Sequence, residues 1–341
     1  MFYVGIDHHK KTTTFCIVGQ DRAVITTRTF SCNNVDGIVA FLRRFRPFQA
    51  VVEATGGYQW LVELIEPLAE RIILAHAKKL RIIAESTCKT DKVDARILAQ
   101  FLAVDMIPQA YRPTPRQREH RTLVRFRQFV QRQKSALQVK IRRIVSDYNA
   151  DRRDLFRRKG LEHLAALKLS KADRYVVKQL LEQWNNLANK LVAITKELQE
   201  FAKKAPAEEQ KCRKVLRNIT GVGAVTTEVV ISEIGDSKRF RSAKQVGAYA
   251  GLAPGRRESA GKAKDLGITK CGSGLLRCVL VEASWQLVRR SRYWGLVYEA
   301  LKVRRGARRA IVEVARRLLG VMVALMRSGQ MYHEPRVREA A

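Results

Sequence analysis

The chain has 341 residues, room for two or three domains, and 46% of them are hydrophobic, which excludes wholesale disorder. Lys and Arg number 65 against 32 Asp and Glu, a formal charge of +33 that points to a polyanion partner, nucleic acid before an anionic membrane. No apolar stretch approaches the roughly 20 residues of a spanning helix, no secretory leader is visible, and the six cysteines, with no CxxC, read as reduced cytosolic thiols.

Residues 2–6, 14–18 and 23–30 are short β-rich runs, the last two joined by a Gly19-Gln20-Asp21 turn. A helix is expected near 35–45, with Val35, Ile38, Val39 and Leu42 on one face. A buried strand follows at 50–53, then a Gly56-Gly57 break, a helix near 58–69, a strand at 72–75 and a helix over 91–104 that ends before Pro108. Three strands with hairpin-length links, then strands alternating with helices, predict a mixed sheet covered by helices. That order matches the RNase H-like fold, in which the first and fourth strands run side by side and parallel.

Residues 112–159 hold 16 Lys+Arg and 4 Asp+Glu, and Leu123, Phe126, Val130, Leu137, Ile141, Ile144 and Tyr148 keep helical spacing, so this stretch reads as a basic amphipathic helix. Leu180, Trp184, Leu187, Leu191, Ile194, Leu198 and Phe201 alternate steps of four and three, a heptad seam that either zips with a second chain or folds back on the basic helix. Dimerisation through this seam is the expectation. Residues 212–330 form another unit of helical patterns and Gly-rich turns, with a second arginine band in its last helices and a loose tail after Gly329. The expected division is 1–110, 111–210 and 211–330.

Four acids stand out. Asp7 ends the run Phe2-Tyr3-Val4-Gly5-Ile6, Glu53 ends Ala50-Val51-Val52, and Asp91 and Asp94 open a helix three residues apart, on one face. Any one alone reads as a helix cap or a turn residue. Together, in RNase H-like order, they read as carboxylates converging on divalent ions, since hard cations take oxygen ligands and two ions about 4 Å apart stabilise both oxygens of a phosphoryl transfer. Gly221-Val222-Gly223 between helices resembles a helix-hairpin-helix, which presents backbone N–H groups to a phosphate; a plain helix–helix turn is the competing reading.

Gly5-Ile6-Asp7 with Lys10, Val52-Glu53-Ala54-Thr55-Gly56-Gly57-Tyr58 and Lys89-Thr90-Asp91-Lys92-Val93-Asp94-Ala95 resemble the DEDD-type transposases of bacterial insertion sequences, also called bridge-RNA-guided recombinases. The resemblance continues through Leu216-x-x-Ile219-x-Gly221-Val222-Gly223, Ala250-Gly251-Leu252-Ala253-Pro254, Arg257-Glu258-Ser259-Ala260-Gly261-Lys262, Thr269-Lys270-x-Gly272 and Leu276-Arg277. It implies an α/β RuvC-like (RNase H-like) domain with a mixed sheet, an α-helical coiled-coil linker and a mostly α-helical C-terminal domain carrying a nucleophilic serine. By motif position the acids are Asp7, Glu53, Asp91 and Asp94, holding Mg²⁺ or Mn²⁺, and the serine is Ser259. The sequence departs from the pattern at His8-His9, where smaller residues often follow the first Asp, so an imidazole there is a ligand or only a neighbour. Ser273 also differs from the amide or imidazole often found at its position.

Gly255 to Lys262 reads as a small-residue loop among cations, where Arg256, Arg257 and Lys262 neutralise a phosphorus centre. Lys10, Arg125, Arg132, Arg142, Arg143, Gly221, Gly223, Lys270 and Arg277 complete the expected nucleic-acid contacts. The reading is a cytoplasmic, nucleoid-associated bacterial DNA transposase or recombinase working through a serine–phosphate intermediate. Its partners are donor and target DNA, a non-coding guide RNA gripped by the basic helix, and further copies of itself as a dimer or tetramer. Two alternatives stay open: a RuvC-like junction nuclease, which survives loss of Ser259, and a non-catalytic architectural protein, which survives loss of the acids.

Overall fold

The apolar run that opens the chain becomes the middle strand of a sheet. The computed structural model describes residues 1–83, 90–259 and 262–335. The chain divides into two compact units, Met1–Arg112 and Pro113–Ala341.

In the first unit the elements run β1 (Phe2–His8), β2 (Thr12–Val18), β3 (Val24–Ser31), α1 (Val35–Arg43), β4 (Phe48–Glu53), α2 (Gln59–Ile65), β5 (Arg71–Ala75), α3 (Ala77–Ile83) and α4 (Asp91–Ala103). The strand order is β3-β2-β1-β4-β5. β1 to β3 pair antiparallel as a meander, while β1, β4 and β5 are parallel. The expected mixed sheet is there, with β1 beside β4. Alternation along each strand builds two cores. Val4, Ile6, Phe15, Ile17, Ala50 and Val52 pack under α1 and α2. Val51, Ile73 and Ala75 on the opposite face meet α4 through Leu98 and Leu102, and Cys16 and Val18 meet Ala95 and Ala99. α3 has no counterpart in the expected elements.

The second unit contains α5 (Pro115–Ser146), α6 (Arg158–Ala166), α7 (Lys171–Lys203), α8 (Ala207–Arg217), α9 (Ala224–Ile234), α10 (Ala243–Tyr249), β6 (Pro254–Ser259), β7 (Lys262–Ile268), α11 (Gly274–Arg290), α12 (Arg292–Arg305) and α13 (Ala307–Ser328). The basic stretch is one long helix only as far as Ser146. Thr114 starts it with a capping box closed by Gln117, and Pro115 sits at its first position. α5 and α7 run antiparallel: Arg116 donates to the Phe201 carbonyl at one end, and Tyr148 donates to Asp173 at the other. The heptad seam is therefore covered by its own chain. Val177 and Leu180 bury against Ile141 and Val145, and Leu191, Ile194 and Leu198 against Val124 and Val130. Of the two outcomes the heptads left open, the seam folds back on the basic helix of its own chain. A long basic helix with an apolar stripe is available next in sequence, so intramolecular pairing meets no loss of translational freedom.

The same core joins these two helices to α8 through α13. Under it lies a buried ion network. Arg213 Nε and Nη2 donate to Glu228, Arg213 Nη2 also reaches Glu209 at 2.7 Å, and His120 Nε2 lies 2.9 Å from Glu228. Two further expectations change. The segment expected as a loop from 255 to 262 is largely an antiparallel hairpin, β6 with β7, in which Ser259 pairs with Lys262. The tail past Gly329 is tied down as far as described: Trp294 Nε1 donates to the Tyr332 hydroxyl at 2.8 Å, and Glu334 accepts from the Tyr293 amide at 3.1 Å. No described helix is long and apolar enough to cross a membrane.

Candidate metal centre and nucleic-acid interface

Gly5 sets the closeness of the two elements that carry the acids. A Cβ at Gly5 would stand 2.0 Å from the Ala95 carbonyl oxygen and 2.5 Å from the Ala99 nitrogen. Only a bare backbone lets α4 lie this near β1. Tyr3, Gly5 and Asp7 alternate onto the α4 side of the sheet, while Val4 and Ile6 fill the other. At the near end of α4, Thr90 is the N-cap, its hydroxyl accepting from the Val93 amide at 3.3 Å. Asp91 and Asp94 then fall in the first helical turn, where carboxylates also suit the helix dipole.

The result is a cluster at the end of β1. His9 Nε2 lies 3.1 Å from Asp7 Oδ2 and 3.4 Å from Asp91 Oδ1. Donor atoms of Asp7, His9 and Asp91 all lie within 4.8 Å of one another, the one such group of three among the described residues. Asp7 is buried, whereas His9 and Asp91 are half exposed, so the cluster is open to an incoming ligand on one side. Burial pushes the Asp7 carboxyl above its ordinary range; the charge and hydrogen bond of His9 oppose this, and the charges of Asp91 and Asp94 add to it. A cation relieves that stress. Two carboxylates and an imidazole nitrogen are a donor set that fits a divalent ion.

Glu53 and Asp94 do not fall within that group of three. Glu53 stands one step beyond Val52, which pairs with Ile6, so its backbone neighbours Asp7 across the parallel ladder. It shares the alternating set of Val51, the α4 side. Asp94 is one helical turn from the cluster and near enough for its charge to raise the Asp7 pKa. Of the four acids, Asp7 and Asp91 are therefore brought together, and Glu53 and Asp94 flank them.

The member that sequence reasoning left undecided is His9. Period-two alternation separates the two imidazoles: Asp7 and His9 share a side, and His8 takes the other. His8 Nδ1 is 2.9 Å from Thr13 Oγ1, its ring meets Trp60 edge-on at 5.6 Å, and burial lowers its pKa while the Gly57 backbone partly offsets this.

In the second unit, Ser259 lies at the end of β6, opposite Lys262 of β7. The side chains of Arg256, Arg257, Ser259 and Lys262 lie outside the described residues. Three expected nucleic-acid contacts are engaged within the chain. Arg125 forks onto buried Glu233 at 2.9 and 3.1 Å. Arg142 donates to Asp151 and to the Arg152 carbonyl. Arg277 Nη1 donates to the carbonyls of Ala250 and Cys271 at 3.0 and 2.7 Å, which gives it a task in holding the turn before α11. Lys10, Arg132, Arg143 and Lys270 are exposed.

The Gly221-Val222-Gly223 segment links α8 to α9. Gly221 has φ of +84°, and a Cβ there would stand 2.9 Å from the Leu287 nitrogen of α11. Gly223 is the N-cap of α9 and contributes no side-chain cap, so the first N–H groups of α9 are left without one. Arg217, Gln286 and Arg290 line the depression around this turn.

Comparison with known proteins places these features. Residues 4–150 match a DEDD transposase family model described as "Transposase", and residues 213–299 match the "Transposase IS116/IS110/IS902 family". The transposase for insertion sequence element IS1111A of Coxiella burnetii is 26% identical over 336 residues, 96% of this chain and 90% of that protein. Putative transposase y4pF/y4sB of Sinorhizobium fredii is 25% identical over 312 residues, 87% of this chain and 77% of its own. The pilin gene-inverting protein of Moraxella bovis is 24% identical over 275 residues, 75% and 73% of the two chains.

Proposed function

The chain belongs to the IS110 family of insertion-sequence transposases, and we propose that it cuts and rejoins DNA through a covalent serine–phosphate intermediate, assisted by Mg²⁺ or Mn²⁺ held at the β1–α4 cluster. The family makes it a DNA-processing enzyme with DNA as its partner and implies a divalent metal. The observation that carries the metal reading is the meeting of Asp7 and Asp91 across β1 and α4, two elements separated by more than eighty residues of chain. Asp7 and Asp91 hold the ion in this reading, with Glu53 and Asp94 flanking it. When bound, such an ion stabilises charge on phosphate oxygens.

The motif position of Ser259 supports its role as nucleophile. Its Oγ forms a bond to phosphorus as the bond from phosphorus to one sugar oxygen breaks. The serine proton passes to solvent, and the sugar leaves as a hydroxyl after taking up a proton. Rejoining runs the same exchange with a different sugar hydroxyl. Ser259 ends β6, paired with Lys262 of β7, and extended backbone in a segment rich in Lys and Arg supports the reading that amides and cations meet a phosphate there. The uncapped start of α9 beside Arg217 and Arg290 supports sequence-independent phosphate contact. The exposed Arg132 and Arg143 of α5 support a grip on a nucleic-acid duplex, a structured guide RNA in this reading.

The test is to trap protein on a DNA substrate under denaturing conditions and map the linked residue. Wild type should give an adduct at Ser259. Ser259→Ala should bind DNA, since counterion release supplies that affinity, yet give neither adduct nor strand exchange. Asp7→Asn should lose strand exchange with Ser259 intact. Strand exchange without any adduct, or normal exchange by Ser259→Ala, overturns the serine mechanism and leaves a metal-dependent nuclease.

A further inference from the structure

We propose that His9 is itself a ligand of the divalent ion, which makes this an acid-plus-imidazole centre instead of an all-carboxylate one. The inference rests on the metal reading above and goes beyond the acids that the family resemblance implies.

The geometry is specific to one nitrogen. His9 Nε2 sits 3.1 Å from Asp7 Oδ2 and 3.4 Å from Asp91 Oδ1, so a single imidazole nitrogen faces one oxygen from the strand and one from the helix. The three donor atoms fit within 4.8 Å of one another, while neither Glu53 nor Asp94 joins them at that spacing. Nε2 is within hydrogen-bond distance of Asp7 Oδ2. With an ion among them, the neutral ring carries its proton on Nδ1 and offers the Nε2 lone pair. Placement needs no strain: the His9 amide donates to the Thr12 carbonyl at 2.9 Å, which extends the β1–β2 ladder past His8 and keeps residues 7 and 9 on one side.

The chemical consequence is selectivity. Mg²⁺ holds to oxygen donors, whereas imidazole is a ligand of first-row transition ions, a series that Mn²⁺ begins while still accepting carboxylates. A centre using His9 favours Mn²⁺ over Mg²⁺ more strongly than four carboxylates do. His8 is an internal control, being the same side chain one residue away, held on the other side by Thr13 and Trp60.

The experiment uses the full chain loaded with Mn²⁺ and reads ¹⁴N couplings by electron spin-echo envelope modulation, alongside calorimetric titration with Mn²⁺ and with Mg²⁺. Wild type and His8→Gln should show a coupled imidazole nitrogen. His9→Ala should lose it, with Mn²⁺ affinity down about tenfold or more and Mg²⁺ affinity reduced by a smaller factor. His9 is half exposed, so the variant should keep the wild-type melting curve. Mn²⁺ bound in an Asp7-dependent way but with no nitrogen coupling overturns the His9 inference and leaves the acid centre standing. Mn²⁺ binding that Asp7→Asn does not change overturns the acid centre itself.

Discussion

Replacing Gly5 with alanine adds one methyl group to a residue with no chemistry of its own, and it should disable the metal centre. The added Cβ would lie 2.0 Å from the Ala95 carbonyl oxygen and 2.5 Å from the Ala99 nitrogen, where ordinary contact starts near 3.4 Å. Both obstacles are backbone, so no rotamer change relieves them. The helix must retreat by about 1.4 Å, or β1 must bend by as much, to recover normal van der Waals separation. Overpacking of this kind costs about 1–3 kcal/mol. For a unit of this size each kcal/mol lowers the melting temperature by about 4–8 °C. The retreat carries Asp91 away from Asp7, and misplacement of about 1 Å at a reacting centre costs on the order of 10²-fold in rate. Differential scanning calorimetry, Mn²⁺ titration and a strand-exchange assay on Gly5→Ala read the three effects. If the variant melts within a degree or two of wild type and binds Mn²⁺ with unchanged affinity, the close β1–α4 contact does not hold the centre together, and the reasoning fails.

The second unit allows two further tests. Burial pushes the Glu228 carboxyl up, but His120 and Arg213 outweigh it and hold its pKa below the ordinary range. The stability it contributes is therefore present above the unfolded value of 4.5 and is lost as pH falls through that value toward the folded one. Glu228→Gln should lose about 1–3 kcal/mol at pH 7, because it removes one of the two carboxylates paired with buried Arg213 and leaves Glu209 as the remaining one; its denaturant midpoint should also depend less on pH below about 5 than that of wild type. Leu191→Ala should cost about 2–5 kcal/mol without changing the mass seen in light scattering, since Leu191 packs against α5 of its own chain. A shift toward a smaller species would return the seam to an interface between chains.

Much of the first unit was legible because each signal there is local. Alternation and β-branched runs mark β1, β2, β4 and β5 within a few residues. Thr90 followed by Asp91 and Asp94 announces the start of α4, where the structure indeed caps it. The acids were visible as a set: each alone reads as a cap or a turn residue, and their order along an RNase H-like run of elements is what singles them out. What stayed hidden depends on distance. The seam Leu180 to Phe201 looks alike whether its partner is α5 or a second chain. The β6–β7 hairpin has only two residues, Ala260 and Gly261, between its strands, a length typical of hairpins. Its flanks carry Arg256, Arg257, Glu258, Lys262 and Lys264 in place of apolar residues, so the strand period is masked. Arg125 and Arg277 read as phosphate contacts because charge is countable in a sequence, while their partners, Glu233 and the Ala250 carbonyl, appear only once the chain has folded. His9 was separable from His8 by period two alone, but which of them meets an acid depends on where α4 lands.

The central claim is that the end of β1 and the start of α4 together form one divalent-metal centre. Anomalous diffraction from crystals soaked in Mn²⁺ tests it most directly. A peak bounded by Asp7 Oδ2, Asp91 Oδ1 and His9 Nε2, absent from Asp7→Asn crystals, is the predicted result. Mn²⁺ found only elsewhere on the protein, at a concentration that supports strand exchange, would contradict it.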